Sequence, residues 1–444
     1  MAKNTSKLLR NTIIYSVYVR NHGRNGKFTD LLEDLPRIKQ LGADIIWFLP
    51  IHPIGEVNKK GMGCPYSIQD YTKVNPDYGT IQEFVQLIDA IHNLEMKVMI
   101  DVVYNHTSHD AVYVKEHPEY YYRKDGEFGN KVADWADIID LDYNKKELWE
   151  PQIKALQQWT ELGVDGFRCD VAPIVPMEFW KMARQAVEEI NPEVIFLAET
   201  VHPGFIEYVR MNGHSMASDS ETFEVFDICY DYDTHGELLK YFRGTEALER
   251  VLEKKRQQEV IFPENYVKLR FLENHDNPRI AALVPDETML RMWTAFLYFE
   301  KGATLIHAGQ EAKNKNIPSL FAIDPVDWSG LDIEFTGYLT RLATIKKEKI
   351  FSQGSYKIHP MPAEQVIFAS YLQEDQIILG IFNVGLKTGE IDLTVRDGNY
   401  AVMNEILDGS YSNLIDQQPV TIADHRIQLS QQPIILSVLL QDKM

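Results

Sequence analysis

Four short apolar stretches end in residues able to do acid–base work. Asp101-Val102-Val103-Tyr104-Asn105-His106 closes one, and Gly166-Phe167-Arg168-Cys169-Asp170 carries a cation and an anion two positions apart. Ala198-Glu199-Thr200 closes a third, and Glu273-Asn274-His275-Asp276-Asn277 a fourth. Side chains two apart on a strand share a face, so Arg168 and Asp170 should project side by side. A cation within about 4–6 Å lowers a carboxylate pKa by roughly 1–3 units, so Arg168 is expected to keep Asp170 ionised. The arginine needs a counter-charge in its turn, and Asp101 on a neighbouring strand is the structural partner expected for it. Glu199 ends the apolar run Val194-Ile195-Phe196-Leu197-Ala198, where partial desolvation should raise its pKa. An ionised carboxylate to attack carbon and a protonated one to release the leaving oxygen are the pair that glycoside hydrolysis requires. Asp276 would then stabilise a positively charged, sugar-like transition state. His106 and His275 would donate hydrogen bonds to sugar hydroxyls.

Such residues need a frame that brings separate strand ends together. Apolar strands alternate with amphipathic helices along the first 350 or so residues. The strands read near 12–19, 43–50, 97–105, 164–171, 194–200, 223–230, 267–274 and 303–309. Asp30 and Glu33 have capping-box spacing ahead of a stripe of Leu31, Leu35, Ile38 and Leu41, which Gly42 should end. Thr80 and Glu83 repeat the box ahead of Ile81, Phe84, Ile88 and Ile91. "LGAD" at 41–44 and "LGVD" at 162–165 both lead from a helix end into a strand. Eight β–α repeats predict an α/β fold, a closed (β/α)8 TIM barrel whose site lies at the C-terminal strand ends. A doubly wound open sheet is the alternative, and the missing glycine-rich phosphate loop disfavours it.

The connection 107–142 is long for a loop and rich in Tyr, Asp, Gly and His, which marks it as functional. Beyond about 354 the pattern changes to short strands separated by turn residues: 366–373, 376–384, 389–395, 400–406 and 433–441. These predict a C-terminal β-sandwich over 355–444. The barrel is assigned to 1–106 and 143–354.

Composition narrows the function classes. The 444 residues are 45% hydrophobic, as in ordinary globular chains. A formal charge of −20 argues against a nucleic-acid partner, because phosphate binding needs a basic face. Three scattered cysteines (Cys64, Cys169, Cys229) make neither a disulfide framework nor a zinc pattern. No run approaches the roughly 20 apolar residues of a membrane span. The first twenty residues have no apolar core of a leader. The expected location is therefore cytoplasmic, with no membrane partner.

At these same residues the sequence resembles the α-amylase superfamily of retaining glycoside hydrolases. "DVVYNH" (101–106), "GFRCD" (166–170), "AE" (198–199) and "NHD" (274–276) match its four signature segments in order, and "DLD" (140–142) and "GQE" (309–311) resemble two more. The resemblance implies that Asp170 is the nucleophile, Glu199 the general acid/base and Asp276 the transition-state stabiliser. It implies that Arg168, His106 and His275 hold the nucleophile and the reacting sugar, and that Tyr66 in "CPYSIQDY" stacks beneath that sugar. It also implies that 107–142 is the short inserted B domain after the third strand. Many relatives hold a structural calcium between barrel and B domain, and Asn105 and Asp140 match two ligand positions. The histidine usual four residues beyond the nucleophile is here Ile174, which cannot ligate a cation that wants oxygen. No cofactor, calcium included, is expected to be required. The implied activity is retaining hydrolysis of α-1,4 bonds in α-glucans or maltooligosaccharides. Val171 after the nucleophile resembles α-1,6-cleaving relatives as much as α-1,4-cleaving ones. Transglycosylation and a non-catalytic glycan-binding barrel are the other readings, and oligomeric state is left open.

Overall fold

The computed structural model describes residues 4–132, 135–361, 365–374, 376–395, 400 and 403–439. Eight strands close a barrel: β1 Ile13–Val17, β2 Ile45–Phe48, β3 Lys97–Val102, β4 Gly166–Cys169, β5 Ile195–Ala198, β6 Ile228–Tyr230, β7 Lys268–Arg270 and β8 Ala303–His307. Each pairs in parallel with its chain neighbours, and β1 pairs with β8. The expected TIM barrel is present. Its strands are shorter than their apolar runs, because the barrel needs only three to six residues of each.

The strands read as continuous apolar runs because both faces are covered, by the interior on one side and helices on the other. Ile45-Ile46-Trp47-Phe48 is buried throughout. The helix Ile81–Asn93 starts on the expected Thr80–Glu83 capping box and buries Phe84, Leu87, Ile88 and Ile91. The first barrel helix corrects its predicted start. It runs Phe28–Gln40, and Asp30 is its third residue, accepting from the backbone of Lys27. Asp30 is thus the reaching-back carboxylate of the box, where the sequence reading had made it the cap.

The repeated "LG-x-D" has a physical use at the bottom of the barrel. Gly42 (φ +87°) and Gly163 (φ +103°) turn the chain in the left-handed region that favours glycine. The aspartate that follows each accepts a backbone N–H from the preceding strand. Asp44 takes Ile13 N–H at 2.7 Å and Asp165 takes Val98 N–H at 2.8 Å. Asp227 does the same for Phe196 at 2.9 Å without the glycine turn. These contacts stitch β1 to β2, β3 to β4 and β5 to β6.

The insertion between β3 and the helix Trp149–Glu161 folds back on itself. His106–Thr107 pairs with Ile139–Asp140, and Arg123–Lys124 pairs with Glu127–Phe128. At the C-terminus, β9 Ser355–His359, β10 Ile367–Leu372 and β11 Gln376–Phe382 form a sheet with the last strand, β16 Ile434–Leu439. A second sheet holds β12 Glu390–Asp392, β13 Gly409–Ser412, β14 Pro419–Ala423 and β15 Arg426–Gln428. The sandwich is present, with two differences. Met403–Ile406, expected within a strand, is a helical turn, while Ala401 and Val402 lie outside the described residues. Strands β13 to β15 were not expected, being short and largely exposed with only one or two apolar residues each. No helix among the described residues is long and apolar enough to cross a membrane.

Alternation along β11 shows how this domain is held. Ile377, Leu379 and Ile381 pack in a core with the second sheet, whereas Ile378 and Phe382 join the barrel's core. Phe382 meets Phe296 and Phe299 of the barrel helix Glu287–Phe299 at ring distances of 5.4 and 5.3 Å. Phe382→Ala should therefore cost about 3–5 kcal/mol of stability, read as a lower midpoint in chemical denaturation.

Candidate active site

The mouth of the barrel is organised around one guanidinium. Arg168 is fully buried on β4, directly across from Asp101 on β3 in the strand register. Its Nη1 donates to Asp101 Oδ1 at 2.9 Å and to Asp170 Oδ1 at 2.8 Å. Its Nη2 lies 3.0 Å from Glu199 Oε1 in an ion pair. Its Nε donates to Tyr230 Oη at 3.2 Å. The guanidinium also lies 5.2 Å from the Trp47 ring centre and 5.3 Å from that of Tyr230. Three carboxyls from three adjacent strands thus share one cation. The expected Arg168–Asp101 pair is there, and the same arginine also reaches Glu199.

The strand ends deliver these groups by backbone geometry. Asp170 N–H donates to Val102 O (2.9 Å) and Glu199 N–H to Cys169 O (3.0 Å), continuing the ladder one residue past β4 and β5. Val171 then turns into the left-handed region (φ 39°, ψ 40°), a costly place for a β-branched residue. Its N–H donates to Glu199 Oε2 at 2.9 Å. The strained turn after Asp170 therefore holds the second oxygen of Glu199.

Tyr66 and Asp276 complete the cluster. The Tyr66 hydroxyl donates to Asp101 Oδ2 at 3.0 Å and lies 2.8 Å from His275 Nε2. The two rings stack at 5.5 Å, 12° from parallel. His275 Nε2 also reaches Asp276 Oδ2 at 3.0 Å, and that aspartate side chain is 42% exposed. His106 is buried, with Nδ1 3.2 Å from Asn105 Nδ2. Asn105 in turn donates to Asp140 at 3.3 Å. Arg168 thus gathers Asp101, Asp170 and Glu199; Tyr66 and His275 tie Asp276 to them; Asn105 and His106 stand with Asp140. Tyr230 and Trp47 were missed. Both stand in barrel strands, and a polar tip closing β6 was the signal available for Tyr230.

Burial sets the electrostatics, and here one expectation is corrected. Arg168 does pull Asp170 downward, but desolvation outweighs it and the carboxyl is pushed up to about 6. Burial likewise raises Asp101 to about 6 and Glu199, as expected, to about 7. Burial also pushes Asp276 up, but the His275 charge and hydrogen bond overcome it and leave that carboxyl below its ordinary value. For His275 burial acts downward, and Asp276 more than offsets it, so the imidazole is raised. The cluster therefore presents an ionised Asp276 near a Glu199 that holds its proton into the neutral range.

Residues 12–137 and 131–351 match the model of the alpha amylase catalytic domain, and 357–436 that of the bacterial alpha amylase C-terminal domain. The structure resembles that of an alpha-amylase from Lactobacillus plantarum with a TM-score of 0.91 and 40% identity, covering 97% of this chain and 100% of the other. Alpha-amylase MalA of Haloarcula japonica is 24% identical over 93% of this chain and 62% of its own length. An alpha-1,4-glucan:maltose-1-phosphate maltosyltransferase of Cereibacter sphaeroides is 32% identical over 40% of this chain and 33% of its own. The chain thus spans less than two thirds of these two relatives.

Arg168→Met would strand three buried carboxyls without their shared cation. Removing one partner of a buried ion pair costs about 3–5 kcal/mol, and a loss on that scale should appear in urea unfolding followed by fluorescence.

Proposed function

The chain belongs to the alpha-amylase family of glycoside hydrolases, and on that premise we propose that it cleaves α-1,4-glucosidic bonds in α-glucans and maltooligosaccharides by a retaining double displacement. The observation that carries this reading is the guanidinium fork of Arg168, which holds Asp170 and Glu199 as near neighbours. Retaining enzymes need their two carboxyls close, about 5–5.5 Å apart, whereas inverting enzymes leave a wider gap for water.

In the first step a carboxylate oxygen of Asp170 attacks the anomeric carbon. The bond to the leaving sugar oxygen breaks as Glu199 gives that oxygen its proton. In the second step Glu199 takes a proton from water, the water oxygen attacks the same carbon, and the bond to Asp170 breaks. Two inversions leave the product in the α configuration. Asp276, kept ionised by His275, faces the positive charge that develops on the sugar ring. Tyr66 offers its ring to the sugar, since its hydroxyl is already committed to Asp101 and His275. Arg168 and Asp101 hold the nucleophile in place. Cytoplasmic location belongs to the same reading and is supported by three unpaired cysteines.

A time course on maltoheptaose tests the assignment. Wild type should release short α-anomeric products, and Asp170→Asn should lose activity by several orders of magnitude while keeping its fold. Undiminished turnover by Asp170→Asn would sink the proposal. Products longer than the substrate would place the chain among transferases, and cleavage confined to α-1,6 links would move the linkage.

The raised proton affinities of these two carboxyls also predict a pH profile. Asp170 must be ionised and Glu199 protonated in the free enzyme. With values near 6 and 7, kcat/KM should be bell-shaped and highest between those two pH values, falling on the acid side as Asp170 gains its proton and on the alkaline side as Glu199 loses its own. In Glu199→Gln the residual rate on an activated glycoside should keep the acid limb and lose the alkaline one.

A further inference from the structure

The place where calcium-binding relatives would hold their metal does not suit a metal here. Asn105 and Asp140 do stand together, but Asn105 turns its amide nitrogen inward. One N–H of Nδ2 faces Asp140 Oδ1 at 3.3 Å and the other faces His106 Nδ1 at 3.2 Å. Flipping the amide would set its oxygen against the Asp140 carboxylate. Asp140 is itself fully buried and already supplied with donors: Oδ2 accepts the Lys131 backbone N–H at 2.7 Å, and Oδ1 also accepts from Asn130 Nδ2 at 3.4 Å. Ile174 stands at the sequence position where the resemblance leads to a histidine ligand and has no side-chain oxygen or nitrogen to offer, and no group of three or more His, Cys, Asp or Glu that could hold a metal occurs among the described residues. A hard cation wanting six to eight oxygens would meet N–H groups instead.

A different cation is already present. The ammonium of Lys131 reaches Asn105 Oδ1 at 3.5 Å, and the backbone N–H of the same residue is held by Asp140 Oδ2 at 2.7 Å. We propose that Lys131 is a built-in replacement for the metal: its ammonium ties the inserted segment to the end of β3 and, through Asn105, fixes the orientation of His106.

A buried Asp140 needs a positive neighbour, and Lys131 is on the same inserted segment, nine residues before it. The oxygen of Asn105 is free for the ammonium only because both N–H groups are spent on Asp140 and His106. With Nδ1 accepting, the His106 proton sits on Nε2, which is the state that can donate to a sugar hydroxyl. Lys131 is therefore a positioning residue, acting on the site through Asn105.

The test compares wild type with Lys131→Met, which keeps the length of the side chain and removes its charge, and Lys131→Arg, which keeps the charge. Thermal unfolding is followed in EDTA and in excess calcium chloride, calcium binding is measured by calorimetry, and KM and kcat are measured on maltoheptaose. Wild type should unfold at the same temperature in both solutions and bind no stoichiometric calcium. Lys131→Met should unfold several degrees lower in EDTA and, if the proposed activity holds, show a KM raised several-fold with kcat nearly kept. Lys131→Arg should stand close to wild type in both respects. Stoichiometric calcium binding by wild type, abolished by Asp140→Asn, would overturn the proposal. So would a Lys131→Met protein that unfolds like wild type. If Lys131→Met fails to fold, rescue by arginine supports the proposal and failure of arginine overturns it. The thermal and binding readouts do not depend on which glycosidic bond the enzyme cleaves, so the two proposals can fail separately.

Discussion

One buried guanidinium decides the arrangement of the barrel mouth. Arg168 has no solvent-exposed surface, and a charge so placed persists only if other charges surround it. Asp101, Asp170 and Glu199 supply them from β3, β4 and β5. The relation runs both ways. Three carboxyls packed together without a cation would repel one another and shed their charges. With it, they stay near one another, each with its proton affinity raised by burial. Burial and the shared cation act in opposite directions on each of the three carboxyls, and burial prevails.

The barrel makes this convergence cheap in conformational terms. Parallel strands in register bring residue 101 beside 168 and residue 169 beside 198, although the chain between them runs through whole helices. The lower rim is locked by Asp44, Asp165 and Asp227, each accepting a strand N–H. The upper rim is then free to carry irregular backbone. Val171 shows the cost of that freedom: a β-branched residue in the left-handed region, held there while its N–H pins Glu199. The inserted segment joins the same rim through the Asp140–Asn105–His106 contacts. Fold stability below and strain above are divided between the two ends of one barrel.

Much of this was legible in the residues. Apolar runs of both-sided burial gave eight strands, and the period of Leu31, Leu35 and Ile38 gave the helix between the first two. Charged residues at the ends of four such runs pointed to the mouth. Where the reading failed, the signal itself was missing. Strands β13 to β15 are short and mostly exposed, and each turns only one or two apolar residues, such as Ile422 and Ile427, to the core. Asp30 and Glu33 are spaced as a capping box, but Asp30 works one box earlier, with Lys27, because side-chain spacing does not say which residue leads. Tyr230 and Trp47 read as ordinary strand aromatics, and only the folded barrel sets both beside the Arg168 guanidinium.

The sequence by itself determined which residues carry charge inside apolar strands, their two-residue spacing on β4, and the β–α rhythm that closes a barrel. These are local properties, set by side-chain type and backbone period. Only the tertiary structure decided that Arg168 would serve Glu199 as well as Asp101 and Asp170, that burial would outweigh its pull on Asp170, and that a lysine from the insertion would stand at the amide oxygen of Asn105. Each of those outcomes depends on how much water is excluded and on which distant side chains meet. Dielectric and proximity are properties of the packed molecule, and no spacing along the chain encodes them.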